Sequence, residues 1–263
     1  MENQKLSNQV KLSYEDRGSG NAVVLLHGFC GSSQYWKEII PLLETAYRVI
    51  VPDLRGHGAS SVPDEPYLME TIATDIALLL DKLGIDKAVL CGHSMGGYAA
   101  SAFAGAYPNK LAGLSLIHST TLPDDEGGKQ KRTEAMELIR KEGVAPFVEG
   151  LIPKLFADQT LQINKAIVQQ AVDIGNNTPP LGAIRSAEGM RERIDRTLIV
   201  EKLQVPVLLV AGSKDKVISP DKTFTPQGAH IHKHKIEKAG HMSMMECPDE
   251  LIEPLKTFLA QCY

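Results

Sequence analysis

The sequence lacks the features of membrane and nucleic-acid-binding proteins. No stretch approaches about 18 consecutive apolar residues, so we expect no membrane span. The formal net charge is −4, which leaves no basic excess to attract nucleic acid or an anionic membrane surface. The first residues, 1–6, carry neither the apolar segment nor the small-residue cleavage site of a signal peptide, and we therefore expect a cytoplasmic protein.

Cysteine is scarce, and cofactor-binding motifs are missing. The four cysteines are scattered without CxxC spacing, which predicts reduced thiols in a chain long enough to build its core without disulfides. The glycines Gly18 and Gly20 precede the first long apolar run instead of following it, so they do not form a dinucleotide-binding fingerprint. No Walker loop is present either, and we expect no cofactor.

The hydrophobic pattern predicts an α/β fold. Short apolar runs without alternation are typical of strands buried on both faces of a parallel sheet. Helical segments separate the runs, notably 71–83 and the alanine-rich 95–107, and this alternation predicts a mostly parallel sheet with helices on both faces. We also expect an antiparallel hairpin before residue 22, a strand near 232–236 and a last helix near 248–261. The five apolar runs are 22–26, 47–51, 88–91, 114–117 and 205–210.

One region interrupts this alternation. Residues 119–203 contain no buried-strand run, and glycines and prolines divide the segment into helical stretches. We interpret the segment as a helical lid insertion. It divides one core domain into a first part, 1–118, and a second part, 204–263.

Ser94 lies in a nucleophile-elbow motif. Gly92-His93-Ser94-Met95-Gly96 follows an apolar strand and precedes a helix, which is the context that a G-x-S-x-G turn requires. The turn would expose the Ser94 hydroxyl at the helix N-terminus, where the N–H of Met95 could stabilise an oxyanion. The same glycine pattern also fits a tightly packed turn or a phosphate site, so the motif needs partners elsewhere.

With these motifs the sequence resembles the α/β-hydrolase superfamily, over nearly the whole chain outside the insertion. Leu26-His27-Gly28-Phe29 looks like the family's oxyanion loop, which implies that the N–H of Phe29 is the second oxyanion donor. The stretch 53–60, beginning at Asp53, is similar to a loop of many members, and we favour a role in turn architecture for it. The resemblance implies a lidded, esterase-like member with a serine nucleophile.

A serine nucleophile needs a histidine base and an orienting carboxylate, and in this fold they follow the serine in the order acid, then histidine. Asp215 follows the late buried strand and is our choice for the acid. Asp221 is better explained as an early helix residue, and Asp195 precedes the strand. His241, between the last strand and the last helix, is our choice for the base.

The other histidines have simpler explanations. His93 is adjacent to Ser94 but should point away from it and pack, and His27 should support the oxyanion loop. Nothing in the sequence supports a separate functional role for His57 or His118. His230, His232 and His234 alternate on a strand with lysines between them, which is typical of an exposed edge, so we predict no metal site there.

We therefore expect a serine hydrolase that cleaves a small-molecule acyl substrate, by default a small carboxylic ester. Carbon–carbon bond hydrolysis, thioester cleavage and perhydrolysis use the same three residues and stay open, as does a non-catalytic ligand receptor on the same fold. The apolar residues of the insertion could line the substrate pocket or form the lid's own core. These are Phe147, Leu151, Ile152, Leu155, Phe156, Ile163, Ile167 and Met190.

Overall fold

A computed structural model describes all 263 residues and contains a single eight-stranded sheet. Its order is β1-β2-β4-β3-β5-β6-β7-β8. The strands from β3 to β8 run parallel to one another, whereas β2 pairs antiparallel with both of its neighbours, β1 and β4. In chain order the strands are β1 (Glu2–Lys5), β2 (Lys11–Arg17), β3 (Ala22–Leu26), β4 (Arg48–Pro52), β5 (Ala88–His93), β6 (Leu111–Ile117), β7 (Val207–Gly212) and β8 (Ile231–Ile236).

The apolar runs of the sequence are the central strands, as predicted. Every residue of β3, β5 and β7 is buried, because helices cover both sides of a parallel sheet and leave no face for water. The edge strand β8 is mostly exposed in its middle, which explains its polar alternation. The α/β fold class predicted from the sequence is therefore confirmed.

The antiparallel hairpin expected before residue 22 is present at the edge of the sheet. The partner of β2 within the hairpin is β1, and the turn between them covers residues 6–10. The glycine-rich stretch 18–21 instead connects β2 to β3, and these two strands do not pair. The turn residues 18–21 mark a change of chain direction but do not determine which strands pair. In the sheet, β4 lies between β2 and β3 and pairs with both.

Twelve helices and three short 3₁₀ turns surround the sheet. The helices are α1 (Ile40–Leu43), α2 (Met69–Lys82), α3 (Met95–Ala106), α4 (Glu126–Glu142), α5 (Val144–Leu151), α6 (Asp158–Ile163), α7 (Lys165–Asn176), α8 (Pro180–Arg191), α9 (Thr197–Glu201), α10 (Pro220–Thr223), α11 (Ser243–Glu246) and α12 (Pro248–Cys262). The 3₁₀ turns are Ser33–Trp36, Pro108–Lys110 and Ile152–Leu155. Six helices, α4 to α9, lie between β6 and β7 with no strand among them.

The helix ends follow from local sequence. Gly84 follows α2 with φ +64°, a left-handed conformation that glycine adopts without strain and that commonly ends helices. Pro108 follows α3 within two residues and has no N–H with which to continue the helix. None of the helices combines the length and hydropathy that a membrane-spanning segment requires.

The parallel arrangement brings the loops after the strands to one edge of the sheet. Ser94 N–H donates to the carbonyl of Ile117 (3.0 Å), and His118 N–H donates to that of Val210 (2.8 Å), so the ladders continue one residue past β5 and β6. The strand order also reverses between β3 and β5, which leaves a crevice at this edge. Residues after β3, β5, β6, β7 and β8 therefore meet there.

Helix α8 of the 119–203 segment packs on the core through a backbone contact. A Cβ atom at Gly182 would overlap the carbonyl of Gly56, and one at Gly189 would overlap that of Tyr67. Tyr67 N–H also donates to the carbonyl of Arg185 at 3.2 Å. The absence of side chains at these two glycines lets the helix backbone lie directly on the core loops.

We predict that Gly182→Ala lowers the free energy of unfolding by about 1–3 kcal/mol, because the methyl group meets rigid backbone and forces α8 outward. The matched control is Gly150→Ala in α5, where no atom lies within 4 Å of the added Cβ. That change should be neutral or slightly stabilising, since alanine favours a helix over glycine. Urea denaturation of both variants tests the pair, and equal stabilities would contradict the prediction.

Candidate active site

Ser94 lies at the sharp turn between β5 and α3. Its φ and ψ are 50° and −115°, a conformation that a residue with a side chain rarely adopts. Such strain persists only where surrounding structure enforces it, and it concentrates at functional sites. Ser94 is partly exposed, whereas its neighbours His93 and Met95 are buried.

Glycines make the turn possible. A Cβ at Gly92 would overlap the carbonyl of Gly96, and a Cβ at Gly96 would lie 2.5 Å from the carbonyl oxygen of Leu26. At Gly28 an added Cβ would lie 3.3 Å from the Cβ of Ser94. The loop after β3 and the turn after β5 are thus in close backbone contact, as the two sequence motifs suggested.

Two backbone N–H groups beside Ser94 have no hydrogen-bond partner in the fold. Phe29 N–H makes no hydrogen bond to any protein group. Met95 is the first residue of α3, and the N–H groups of a first helical turn have no acceptor within the helix. Both predicted oxyanion donors are therefore free to bind an anionic oxygen, and the helix dipole favours one there.

His27 fixes the loop that carries Phe29. Leu54 N–H donates to His27 Nε2 at 2.9 Å, so the ring proton resides on Nδ1, which lies 2.8 Å from the carbonyl oxygen of Gly28 and donates to it. Complete burial lowers the pKa of His27 to about 4. The neutral ring thus connects the loops after β3 and β4, which is the supporting role expected from the sequence.

Asp215 and His241 form a direct contact. His241 Nδ1 lies 2.7 Å from Asp215 Oδ2, and both side chains are almost fully buried. The other carboxylate oxygen, Oδ1, accepts from the N–H groups of Val217 (2.8 Å) and Ile218 (2.9 Å). Burial by itself would raise the pKa of Asp215, but the facing imidazoles of His241 and His118 hold it well below its usual range.

His93 connects this pair to the elbow. Its Nε2 lies 2.9 Å from the main-chain carbonyl oxygen of His241 and donates to it, and the two rings lie 5.0 Å apart between centroids. The hydroxyl of Ser94 makes no hydrogen bond with His241, so Ser94 and His241 are linked by this shared neighbour. His93 is buried and packs, as expected, but it also holds the loop of His241.

Sequence reasoning missed Glu246, which fixes the His241 loop to the helical segment. Its Oε1 accepts from the N–H groups of Gly240 (2.9 Å) and Met242 (3.1 Å), on either side of His241. Its Oε2 accepts from Ala157 N–H (2.9 Å) and from the Thr160 hydroxyl (2.8 Å). A carboxylate five residues after a candidate histidine, at the end of the short helix α11, was the available signal.

His118 was also missed, because nothing in its sequence neighbourhood distinguishes it. Its Nδ1 lies 3.4 Å from Asp215 Oδ2, and its Nε2 lies 2.7 Å from the hydroxyl of Ser243. The ligand atoms of His118, Asp215 and His241 lie within 4.8 Å of one another and could in principle hold a metal ion. The 2.7 Å separation of His241 Nδ1 from the carboxylate is, however, that of an N–H···O hydrogen bond.

The rival carboxylates lie in other environments. Asp221 is the second residue of α10, and Asp195 Oδ1 accepts from the N–H of Thr197 at the start of α9. Asp53 accepts from the N–H groups of Ser33 (2.8 Å) and Ala59 (2.9 Å), which matches a role in turn architecture.

The strand histidines do not converge. His230 Nε2 lies 3.2 Å from the carbonyl oxygen of Val200, and His232 is exposed. His57 is completely buried, and its Nδ1 donates to the carbonyl of Arg55 at 3.1 Å.

The predicted pocket residues of the 119–203 segment differ in how deeply they are buried. Phe147 is half-buried, and its ring lies 5.7 Å from that of Phe29, beside the oxyanion loop. Ile163, in contrast, is 74% exposed and contributes to neither a wall nor a core. The four most buried members are Ile152, Leu155, Phe156 and Met190, and the partly buried ones are Leu151 and Ile167.

All four cysteines are free, in agreement with the expectation of reduced thiols. Cys30 lies next to the oxyanion loop residue Phe29 and is completely buried. Burial raises the pKa of its thiol to about 12, so the sulfur stays protonated and unreactive at neutral pH.

Comparison with known proteins identifies relatives along almost the entire chain. Residues 21–248 match a family model described as alpha/beta hydrolase fold. A thermophilic esterase from Thermogutta terrifontis superposes with a TM-score of 0.95 and 33% sequence identity, covering 100% of this chain and 99% of that one. The 3-oxoadipate enol-lactonase 1 of Acinetobacter baylyi is 27% identical over 94% of this chain and 92% of its own length. The bifunctional epoxide hydrolase 2 of Mus musculus is 27% identical over 95% of this chain but only 53% of the mouse protein.

The buried histidines predict a loss of stability in mild acid. Burial lowers the pKa of His27 to about 4 and that of His57 to about 3, and it also lowers the pKa values of His93 and His118. Histidines in the unfolded chain take up a proton near pH 6.5. Between pH 6.5 and about 4 the unfolded state therefore binds more protons, so stability is complete above this window and falls as the pH falls through it.

We predict that the free energy of unfolding decreases by at least about 2 kcal/mol between pH 6 and pH 5, about 1 kcal/mol for each of His27 and His57. Urea denaturation at pH 7, 6 and 5 measures this change. Asp215 does not contribute in this range, because a carboxylate with a lowered pKa loses its contribution only below about pH 4. Equal stability at pH 7 and pH 5 would refute the prediction.

Proposed function

The chain belongs to the α/β-hydrolase fold family, and on this premise we propose that it is a serine hydrolase that cleaves small carboxylic esters through an acyl-enzyme intermediate. Ser94 is the proposed nucleophile, His241 the base and Asp215 the acid. The observation that carries the proposal is the 2.7 Å contact between His241 and Asp215 at the sheet edge that also bears the strained Ser94 turn. Family membership alone does not choose the reaction, since the relatives include an enol-lactonase and an epoxide hydrolase.

The contact with Asp215 determines which nitrogen of His241 can act as a base. A carboxylate only accepts hydrogen bonds, so His241 Nδ1 carries the proton and Nε2 presents its lone pair. A neutral imidazole of this tautomer can remove the proton of a serine hydroxyl, and Asp215 then stabilises the imidazolium that forms. Contacts between nucleophile and base are often long in the absence of substrate and shorten when it binds.

In the first step Ser94 Oγ attacks the carbonyl carbon of the ester while His241 Nε2 takes the hydroxyl proton. The carbonyl oxygen becomes an oxyanion that accepts from the N–H groups of Phe29 and Met95. When the carbon–oxygen bond of the ester breaks, His241 gives its proton to the departing alcohol. The acyl group remains on Ser94.

The second step repeats this chemistry with water. His241 Nε2 takes a proton from a water molecule, whose oxygen attacks the acyl carbon. The oxyanion forms again on the same two N–H groups, and collapse of this intermediate returns the proton to Ser94 Oγ and releases the carboxylic acid. No external cofactor is needed, since every proton moves between His241, Ser94, water and the alcohol.

The helical segment 119–203 is proposed as a lid insertion between core parts 1–118 and 204–263. Phe147 packs against Phe29 at the oxyanion loop, which supports a pocket wall at this point. The carbonyl of Leu155 accepts from the N–H of His241 at 2.6 Å, so part of the segment also supports the base. Residues 155–160 thus form the fixed base of the proposed lid.

Lactone opening is a second candidate reaction. A lactone is a cyclic ester, and the same two steps open its ring with the alcohol still attached to the acyl chain. The similarity to a 3-oxoadipate enol-lactonase over 94% of this chain favours including it.

We predict that Ser94→Ala lowers kcat for an ester turned over by the wild type by about 10⁴- to 10⁶-fold, because the three residues act as a unit. p-Nitrophenyl esters of graded acyl length, thioesters, lactones and vinylogous diketones form the substrate panel. Ser7→Ala, an exposed serine in the turn after β1, is the matched control and should keep wild-type activity. A loss below tenfold in Ser94→Ala would refute the assignment of the nucleophile.

A fluorophosphonate probe distinguishes a serine hydrolase from a non-catalytic ligand receptor. Covalent labelling of the wild type that Ser94→Ala abolishes supports an activated nucleophile. A folded protein that hydrolyses no member of the panel and takes no label is instead a receptor on the hydrolase fold, and the proposed function is then wrong.

We also predict that Glu246→Gln lowers kcat by about 10- to 100-fold with little change in KM, because displacing a base by a fraction of an ångström is costly to the chemical step. The glutamine places an NH₂ group opposite N–H donors that now point at carboxylate oxygen. Glu237→Gln is the control, since Glu237 is exposed and contacts Ser213 and Lys235 instead of the His241 loop. An unchanged kcat would show that the loop is held without Glu246.

A further inference from the structure

His118 stands one residue past β6, in the same relation to its strand as Ser94 to β5. Both residues have a positive φ, 47° at His118 and 50° at Ser94, in a region that residues with a side chain seldom occupy. The imidazole of His118 is completely buried and is not used in the mechanism above. Strained backbone of this kind concentrates at functional sites, which indicates a role for the ring of His118.

The neighbours of the ring determine its tautomer. His118 Nδ1 lies 3.4 Å from Asp215 Oδ2, a long contact outside hydrogen-bond geometry, and has no other partner. A ring lone pair facing a carboxylate at this distance would be repelled, so Nδ1 carries the ring proton. Nε2 then presents a lone pair, and the hydroxyl of Ser243, 2.7 Å away, donates to it. The hydrogens point in one direction, from Ser243 to His118 and from His118 to Asp215.

We infer that His118 is a positioning residue for Asp215: its Nδ1–H is a second, longer-range electrostatic partner of the carboxylate oxygen that also orients His241. The inference rests on the proposed function, in which Asp215 and His241 are the acid and the base. The N–H groups of Val217 and Ile218 donate to Oδ1 and His241 Nδ1 donates to Oδ2, while His118 Nδ1 makes a longer contact with Oδ2, so the carboxylate cannot rotate without losing these contacts.

The groups that face this pair define the expected effect on pH dependence. His93 lies 6.2 Å from His118 and 5.0 Å from His241 between ring centroids, and Glu246 is the next nearest carboxylate. Burial lowers the pKa values of both His93 and His118, so neither ring carries a charge near neutral pH. At Oδ2 the charge of Asp215 therefore faces two imidazoles, the hydrogen-bonded ring of His241 and the more distant ring of His118.

Removing the His118 donor concentrates that charge on the contact with His241. More negative charge at Oδ2 stabilises the protonated form of His241, which cannot act as a base. The acid limb of the pH profile should then move to higher pH. A residue that only filled space would affect stability and leave this limb in place.

Four variants of the full-length chain separate these roles. His118→Leu removes both ring nitrogens, whereas His118→Asn keeps an N–H donor and suits a positive φ, which asparagine tolerates well. Ser243→Ala leaves the ring but removes the donor that fixes its tautomer. His230→Leu is the control, because His230 lies at the opposite end of β8, about 17 Å along a six-residue strand.

The readout is the rate of fluorophosphonate labelling of Ser94 between pH 5 and pH 9. We expect the acid limb to move up by about 0.5–1 pH unit in His118→Leu and by less in Ser243→Ala. His118→Asn should recover at least half of the shift, and His230→Leu should coincide with the wild type. An unmoved limb in folded His118→Leu overturns the inference; if that variant does not fold, an unmoved limb in Ser243→Ala does so.

A second measurement does not depend on activity. Nitrogen-15 NMR of histidine-labelled wild-type protein at neutral pH distinguishes a protonated from an unprotonated ring nitrogen. The inference requires a protonated Nδ1 and an unprotonated Nε2 at His118, and the opposite tautomer overturns it. If the wild type takes no label at any pH, the proposed function fails, and the tautomer still decides whether His118 donates to Asp215.

Discussion

The buried carboxylate of Asp215 is the point at which the loops at the carboxyl edge of the sheet meet. It follows β7, yet its partners come from the loops after β6 and β8 as well as from its own turn. A buried charge is tolerated only when hydrogen bonds replace the water it has lost. The loop that carries His241 therefore has to end where its ring N–H reaches this carboxylate, which determines the geometry of the proposed base.

A second carboxylate, Glu246, extends this support to the helical segment. Its four donors come from the two residues flanking His241 and from Ala157 and Thr160. The part of the segment near residue 157 is consequently tied to the base and cannot move as a lid without breaking these bonds. Motion that admits substrate would have to involve other helices of the segment, such as α5, which carries Phe147.

Local patterns predicted the parts of the fold that local physics determines. Unbroken apolar runs identified the central strands because parallel strands are buried on both faces, and the glycines of the elbow identified Ser94 because only they permit the close approach to the loop after β3. Phe29 and Met95 were selected as candidate oxyanion donors, Phe29 because the family resemblance implies it and Met95 because it follows Ser94 in the elbow motif. The antiparallel hairpin before residue 22 was also predicted correctly, whereas the turn cluster 18–21 connects β2 to β3, and these strands do not pair because β4 lies between them.

The sequence by itself determined the fold class and the choice of Ser94, Asp215 and His241 as candidates, because chain order at the ends of parallel strands restricts which residues can meet. Only the tertiary structure showed what holds them. His118, His93 and Glu246 are separated from their partners by 97, 148 and up to 89 residues, and contacts over such separations follow no sequence period. Their roles depend on a few tenths of an ångström among buried side chains, which no pattern of residues encodes.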